Sequence, residues 1–491
     1  MKEMKPGPVK DSILDIAGEY TGIPLNRRLL ISVAGTVVIY LALCLMPMEA
    51  YGDKCAQGLA FVCATIWWMI TTPAEMSVSA LLIATLGVLS GVLAYSDVTA
   101  MLGSSSFYTM LGMSIVARGI EFTPFGRRIA YWFLYRFGQR PMSMLIVFGV
   151  VTACLSAFVS NIAVIILMSS IADGLLRTMG EKPGESRFGR AMMTMVIMAS
   201  LMGGMALING SPIGNLQGIA FMNAASGELD LSISYADWAK ISVPVFLITV
   251  VPSMLIYARL SGFRSSALEL PGKDYFKGYL DSLGRIGGSE IRWLLLTAGM
   301  IACMLSGMNT ALASLLFAAL CMLPGIGISD CREVIKRLPW GVLLCVCMVP
   351  LIGTVITGTG VSDWLNDLLS PLLGGMGVLS LSMASCALVF LCMNLMVNCT
   401  HGAQALTITL STTVCIGLGY NPCTVLMPAM FAGAWFWCIG ANYIVMMNKG
   451  YGWWELRDTL LPGFATGAFL CIAVPLINYL LCPLWGLSFY I

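Results

Sequence analysis

Charge is scarce in this chain. Only 11% of its 491 residues are Asp, Glu, Lys or Arg, while 58% are hydrophobic. Soluble domains carry about 25% charged residues, so no sizeable soluble domain fits in this length, and the implied solvent is lipid. Histidine is scarcer still: His401 stands alone, which excludes a multi-histidine metal site. Catalytic constellations are missing too. No carboxylate pair, histidine cluster or Ser/His dyad at helical spacing lies in an apolar run, so a membrane-embedded enzyme has no support. Cysteine is plentiful at 17, but no CxxC pair occurs. Most thiols sit inside apolar runs (Cys44, Cys63, Cys154, Cys303, Cys321, Cys345, Cys347, Cys386, Cys392). They read as small packing residues, not as a disulfide framework. The first apolar run, from Leu29, lacks a small-residue cleavage site and reads as a retained span, not a signal peptide.

What the sequence does contain is a long series of apolar runs. A helix needs about 20 apolar residues to cross a hydrocarbon core of about 30 Å. On that rule eleven runs qualify: 29–48, 57–73, 77–95, 100–120, 190–224, 238–258, 292–306, 309–326, 339–358, 424–447 and 459–482. Two further stretches, 141–176 and 377–418, are interrupted by the polar elements Ser160-Asn161 and Asn398-Cys399-Thr400. Each half is short for a comfortable crossing. Both stretches read as re-entrant hairpins that enter and leave on one side.

The basic residues divide accordingly. With both hairpins re-entrant, segments 1–28, 118–142, 177–190, 258–292, 327–339 and 448–458 share one side and hold 25 of the 27 Lys and Arg. The other side keeps Lys54 and Lys240 among Glu49, Asp53, Asp97, Glu228, Asp230, Asp237, Asp363 and Asp367. The positive-inside rule then puts the amino terminus inside and the carboxyl terminus outside. Turning one hairpin into two crossings leaves the parity unchanged, so charge alone does not establish re-entrance.

Among the inner segments, Phe125–Gly138 sets Arg127, Arg128 and Arg136 among Tyr131, Trp132, Phe133 and Tyr135. It reads as an interfacial amphipathic helix, the alternative being a basic loop under an aromatic belt. The polar stretch 261–291 is the longest inner linker, and the same order of features occurs on either side of it: hairpin, broken helix, Trp turn, closing helix. The first break, Gly210-Ser211-Pro212-Ile213-Gly214-Asn215, is followed by Asp237-Trp238 and Pro244. The second, Gly440-Ala441-Asn442, is followed by Trp453-Trp454-Glu455 and Pro462. Five crossings and a hairpin make the first unit; five is odd, so the second unit starts on the opposite face. The repeats are therefore inverted, as in many secondary transporters.

The expected fold is an all-α polytopic membrane protein of about 11 transmembrane helices plus two re-entrant hairpins in two inverted repeats. Residues 1–56 form an inner segment and first span, and 57–260 the first repeat with hairpin 141–176. A cytoplasmic linker, 261–291, leads to the second repeat, 292–482 with hairpin 377–418, and 483–491 is an outer tail.

No charged residue falls near the centre of any run, so a site at the breaks must be built from neutral groups. Hydroxyls, side-chain amides and unwound carbonyls can ligate Na+, while half-helix N-termini suit an anion. Ser160, Asn161, Ser211, Asn215, Asn398, Thr400 and Asn442 supply both kinds of partner, with Gly210 and Gly440 at the breaks as further cation candidates. A single Ser or Asn in a span is more often a helix–helix hydrogen bond than a ligand; the case rests on the set. Asn398-Cys399-Thr400 also matches a glycosylation acceptor, which membrane depth makes a chance match. His401 is a possible proton site, or a neutral histidine bonded in a packed tip.

At these residues the chain resembles the divalent anion/sodium symporter family of the ion-transporter superfamily. The resemblance runs from about 29 to 482 and is carried by SAFVSNIAVIILM, by GGMALINGSPIGNLQGIAF, and by Trp238 and Trp340 in YADWAKISVP and RLPWGVLL. Members carry two Ser-Asn-Thr tips and two Pro-Pro-Asn-like breaks. Here Ile162 stands in place of the first threonine, Asn398-Cys399-Thr400 stands at the second tip, and the second break has no proline. The resemblance implies a homodimeric elevator-type symporter of Na+ with a di- or tricarboxylate or sulfate, in a prokaryotic cytoplasmic membrane. It also implies substrate contacts at Ser160, Asn161, Ile162, Asn398, Cys399, Thr400 and Asn442. No cofactor beyond the coupling Na+ and no nucleic-acid partner are expected. A proton-coupled carrier or antiporter using His401 is the alternative, and a passive channel is a third.

Overall fold

The computed structural model describes residues 25–491, apart from 72, 75, 227, 228, 230, 264–269, 329, 349, 374, 396–399, 436–444, 446 and 447. Among the described residues the chain is helical, and a lone antiparallel bridge, Tyr420 to Tyr490, is its only extended pairing. Among the described residues, seven helices are long and apolar enough to cross a membrane, and five shorter apolar helices accompany them.

The first unit follows a peripheral helix α1 (Leu25–Cys44). It comprises α2 (Cys55–Thr71), α3 (Met76–Leu89), α4 (Tyr95–Leu102) with α5 (Ser105–Arg118), and α6 (Phe125–Phe137). Then come hairpin arms α7 (Pro141–Phe158) and α8 (Asn161–Thr178), the broken pair α9 (Arg187–Gly203) and α10 (Pro212–Ala225), and α11 (Tyr235–Leu260). The linker contains α12 (Lys273–Ser282). The second unit repeats the order: α13 (Gly288–Leu305), α14 (Thr310–Met322), α15 (Cys331–Lys336), α16 (Trp340–Met348) with α17 (Leu351–Gly358), and α18 (Val361–Leu373). It ends with arms α19 (Val378–Leu395) and α20 (Thr400–Gly417), then α21 (Pro422–Val425), α22 (Met427–Trp435) and α23 (Arg457–Leu484).

Local chemistry explains where these helices stop. Run 100–120 is cut at Gly103-Ser104, where the Ser104 hydroxyl accepts from the Phe107 N–H and caps α5. Run 339–358, expected as one helix, is split before Pro350, which lacks the N–H that would continue α16. Pro141 and Pro212 stand at the first positions of α7 and α10, where a missing N–H costs nothing. The hairpin arms α7, α8, α19 and α20 have 18 residues each, about 27 Å at 1.5 Å per residue, just under a full crossing. One expectation needs correction. Asp363 and Asp367, read as loop residues, belong to α18, whose apolar and polar residues separate onto opposite faces as they do in α6.

The expected amphipathic helix is α6. Ala130, Tyr131 and Leu134 are buried, while Trp132 is half exposed. Arg128 reaches from α6 to α13: its guanidinium meets Glu290 at 3.0 Å, with Glu290 almost fully buried, and donates to the Gly284 carbonyl at 2.8 Å. Tyr131 stacks on Tyr279 of α12 at 4.6 Å. The linker is thus clamped onto the first unit.

Packing sorts the helices into two groups. Helices α3, α5, α14 and α16 pair with one another, α14 so closely on α5 that a Cβ at Gly112 would lie 2.5 Å from the Ser314 carbonyl carbon. The hairpins, broken helices and closing helices form the other group, with α11 against α23. Helix α10 touches both groups, through α5 and α17 on one side and α20 and α22 on the other. The axis of the second group is α9: apart from Arg187 and Arg190, every residue in it is buried, the signature of a helix hydrophobic on all sides.

The tryptophan turns knit the units together. Trp238 donates to the Met205 carbonyl and packs edge-on against Phe431 of α22. In return, Trp453 donates to Asp173 of α8 and leaves no room for a Cβ at Gly189 of α9. Trp454 donates to Asn448, whose amide nitrogen bonds the Ser169 hydroxyl and the Met193 carbonyl. Each unit therefore rests its turn on the broken helix of the other.

Candidate ion and substrate site

The first hairpin ends where the backbone runs out of helical partners. Helix α7 stops at Phe158, Val159 is extended, Ser160 is non-helical, and α8 starts at Asn161. A helix C-terminus, whose last carbonyls lack intrahelical donors and which carries the negative dipole end, thus meets a helix N-terminus whose first N–H groups lack intrahelical acceptors. A cation suits the first and an anion the second.

The tip does not lie free. The Asn161 N–H donates to the Gly210 carbonyl at 2.9 Å, and the Asn161 amide to the Ser211 hydroxyl at 3.4 Å. The Ser200 hydroxyl donates to the Asn161 carbonyl at 2.9 Å, and Ser156 to the Ser200 carbonyl at 2.6 Å. Asn209 donates to the Phe158 carbonyl and accepts from the Tyr235 hydroxyl. The tip is thus bonded to the interruption of a long buried helix pair, 204–211 between α9 and α10. Such contact places the tip in the interior of the packed group.

Glycine is required where tip and break touch. A Cβ at Gly210 would sit 2.5 Å from the Ser156 oxygen, 3.0 Å from that of Gly204 and 3.1 Å from that of Ala157. Three backbone oxygens therefore converge beside Gly210. Asn215 organises the same loop. Its amide nitrogen donates to the carbonyls of Gly204 at 2.8 Å and Leu207 at 3.0 Å, which orients the other end of the amide. That end, Oδ1, is fully buried and has no hydrogen-bond partner among the described residues. A buried acceptor without a donor is costly, and a hard cation would satisfy it. The donor set is all oxygen and all neutral, the chemistry of a Na+ site.

The structure accordingly brings Ser160, Asn161, Ile162, Gly210, Ser211 and Asn215 to one place, with Asn161, Ser211 and Asn215 buried and Ser160 half-buried. The second tip is different in status. Thr400 and His401 form the first turn of α20, described as backbone alone, and Asn398, Cys399, Gly440 and Asn442 lie outside the described residues. Sequence reasoning missed Ser156, Ser200, Asn209, Tyr235 and Gln404. Ser156 stands one turn before Ser160, a spacing that could have flagged it. The others reach the site only through the fold.

A family model described as citrate transporter matches residues 66–448. The chain belongs to the citrate transporter family. A sodium-dependent dicarboxylate transporter, SdcS, of Staphylococcus saprophyticus is 24% identical over 486 residues, covering 92% of this chain and 91% of the relative. SdcS of Staphylococcus aureus strain RF122 is 23% identical over 461 residues, covering 87% and 86%. The crystal structure of the YdaH transporter of Alcanivorax borkumensis aligns over 94% of this chain and 99% of that one, with a TM-score of 0.53 at 10% identity, a likeness of fold. The protein is thus a multi-span membrane transporter and not an enzyme.

Proposed function

We propose that this transporter is a Na+-coupled symporter of a small carboxylate, working between two inverted repeats by an elevator motion. The observation that carries the cation half is the buried Oδ1 of Asn215, without a hydrogen-bond partner among the described residues, in the same loop as the three backbone oxygens that converge at Gly210. The names of the SdcS relatives support both Na+ and a dicarboxylate-like anion. In this reading Na+ sits on the carbonyl end of α7 with Asn215 and Asn161, and neutralises the dipole there. The anion meets the head of α8, where the first N–H groups have no intrahelical acceptor. Ile162 brings no hydroxyl to that point, so recognition falls on the backbone and Ser160. The second tip, with Asn398, Cys399 and Thr400, and the second break, with Gly440 and Asn442, supply the matching half. The amino terminus lies inside, the repeats span 57–260 and 292–482, and two copies form a homodimer.

If Na+ raises the affinity for the anion, the anion raises that for Na+ by the same factor. The test is uptake by proteoliposomes of radiolabelled citrate, succinate or sulfate under an inward Na+ gradient, with K+ replacing Na+ as control. Uptake of one anion driven by Na+ and abolished by K+ replacement is expected. Uptake driven instead by a pH gradient, and lost in a His401→Gln variant, would replace this assignment with proton coupling.

A further inference from the structure

Gln404 lies on α20, one turn past Thr400, and is almost fully buried. Its amide nitrogen donates to the Gly214 carbonyl on α10 at 2.9 Å. Glycines surround that amide. A Cβ at Gly433 on α22 would come 2.4 Å from its nitrogen, and one at Gly218 would come within 3.1 Å. Gly214 and Gly218 share one face of α10, and a Cβ at Gly214 would stand 3.5 Å from the Gly433 oxygen. The second hairpin, the first broken helix and the helix leading into the second break therefore meet around one glutamine. An apolar side chain would fill this niche without desolvating an amide, and burying an amide is unfavourable unless its hydrogen bond is made. The bond to Gly214 is what distinguishes glutamine here.

Gly214 is the neighbour of Asn215, whose Oδ1 is the orphan acceptor of the first site. We infer that Gln404 is a positioning residue: it ties the second hairpin to the first turn of α10, so that Asn215 faces the cation site only while that hairpin is docked. Occupancy of the first unit's cation site is thereby linked to the placement of the second unit's tip. The inference rests on the Na+-coupled reading and deepens it.

The test uses the purified full-length transporter and reads its thermal unfolding at graded NaCl, with choline chloride holding ionic strength. Gln404→Met keeps the volume and removes the donor; Gly433→Ala pushes the amide from its niche without touching Gln404. Both are expected to move the half-saturating Na+ concentration up about three- to tenfold, the loss of one buried hydrogen bond. Unfolding in choline should stay within a few degrees of wild type for Gln404→Met. Gln404→Ala also empties the niche and should lower unfolding in both salts. A Gln404→Met protein with the wild-type Na+ curve would reduce Gln404 to packing and overturn the inference. So would a drop in unfolding temperature that is equal in both salts and leaves the half-saturating Na+ unchanged. If the wild-type protein itself shows no Na+ dependence, the Na+-coupled reading fails first, and the inference with it.

Discussion

The tightest contact between tip and break gives the sharpest prediction, Gly210→Ala. The added methyl would lie 2.5 Å from the Ser156 oxygen, about 1 Å inside ordinary van der Waals separation. The atoms on the far side are backbone, at Ser156, Gly204 and Ala157, so no side-chain rotation relieves the clash. Overpacking of this kind costs about 1–3 kcal/mol. Separating tip from break also stretches the bond from the Asn161 N–H to the Gly210 carbonyl, worth about 0.5–1.5 kcal/mol. Together these give roughly 2–4 kcal/mol, localised on the carbonyls that would hold Na+. At about 1.4 kcal/mol per decade, half-saturating Na+ should rise at least tenfold, read from both uptake and Na+-dependent thermal stabilisation. The control is Gly174→Ala on α8, where a Cβ meets nothing within 4 Å; it should leave the Na+ curve unmoved. A Gly210→Ala protein that binds Na+ like wild type would show that the convergence of carbonyls at Gly210 is packing alone.

Three further substitutions probe the rest of the site. Asn161→Ala removes the amide that reaches Ser211 but not the backbone bond to Gly210; uptake should fall at least a hundredfold while the protein still elutes as a folded species, and unchanged uptake would remove this tip from the mechanism. Ile162→Thr adds a hydroxyl at the head of α8, where the proposed anion would meet backbone N–H groups and Ser160, and should lower the KM for a dicarboxylate by about three- to tenfold; an unchanged KM would mean that the anion does not approach the head of α8. Gly353→Leu tests the sliding of the two packing groups. A Cβ there already comes 2.8 Å from Ala224 Cβ of α10, so a leucine should wedge α10 against α17. Uptake should drop more than tenfold with Na+-dependent stabilisation retained, whereas full uptake would argue against motion across that contact.

Hydropathy by itself determined that this protein lives in a bilayer, because a chain with so little charge has no other way to fold. Polar residues inside apolar runs marked the first tip and the first break, since an uncompensated Asn or Ser at that depth is expensive. Those signals are local, and they survive without coordinates. Other features were illegible for equally physical reasons. Pro350 had one run read as a single helix because a proline in a membrane helix can kink or break it, and only the surrounding packing selects between them. Helix α18 passed for loop because its two aspartates mask an apolar face that shows only at helical period. Gln404 and Ser200 belong to the site through contacts with α10 and the first tip, across 190 and 39 residues of chain. No spacing rule reaches that far. Tertiary structure alone decided which oxygen of the break lacks a donor, because that depends on three carbonyls brought to one end of the Asn215 side chain.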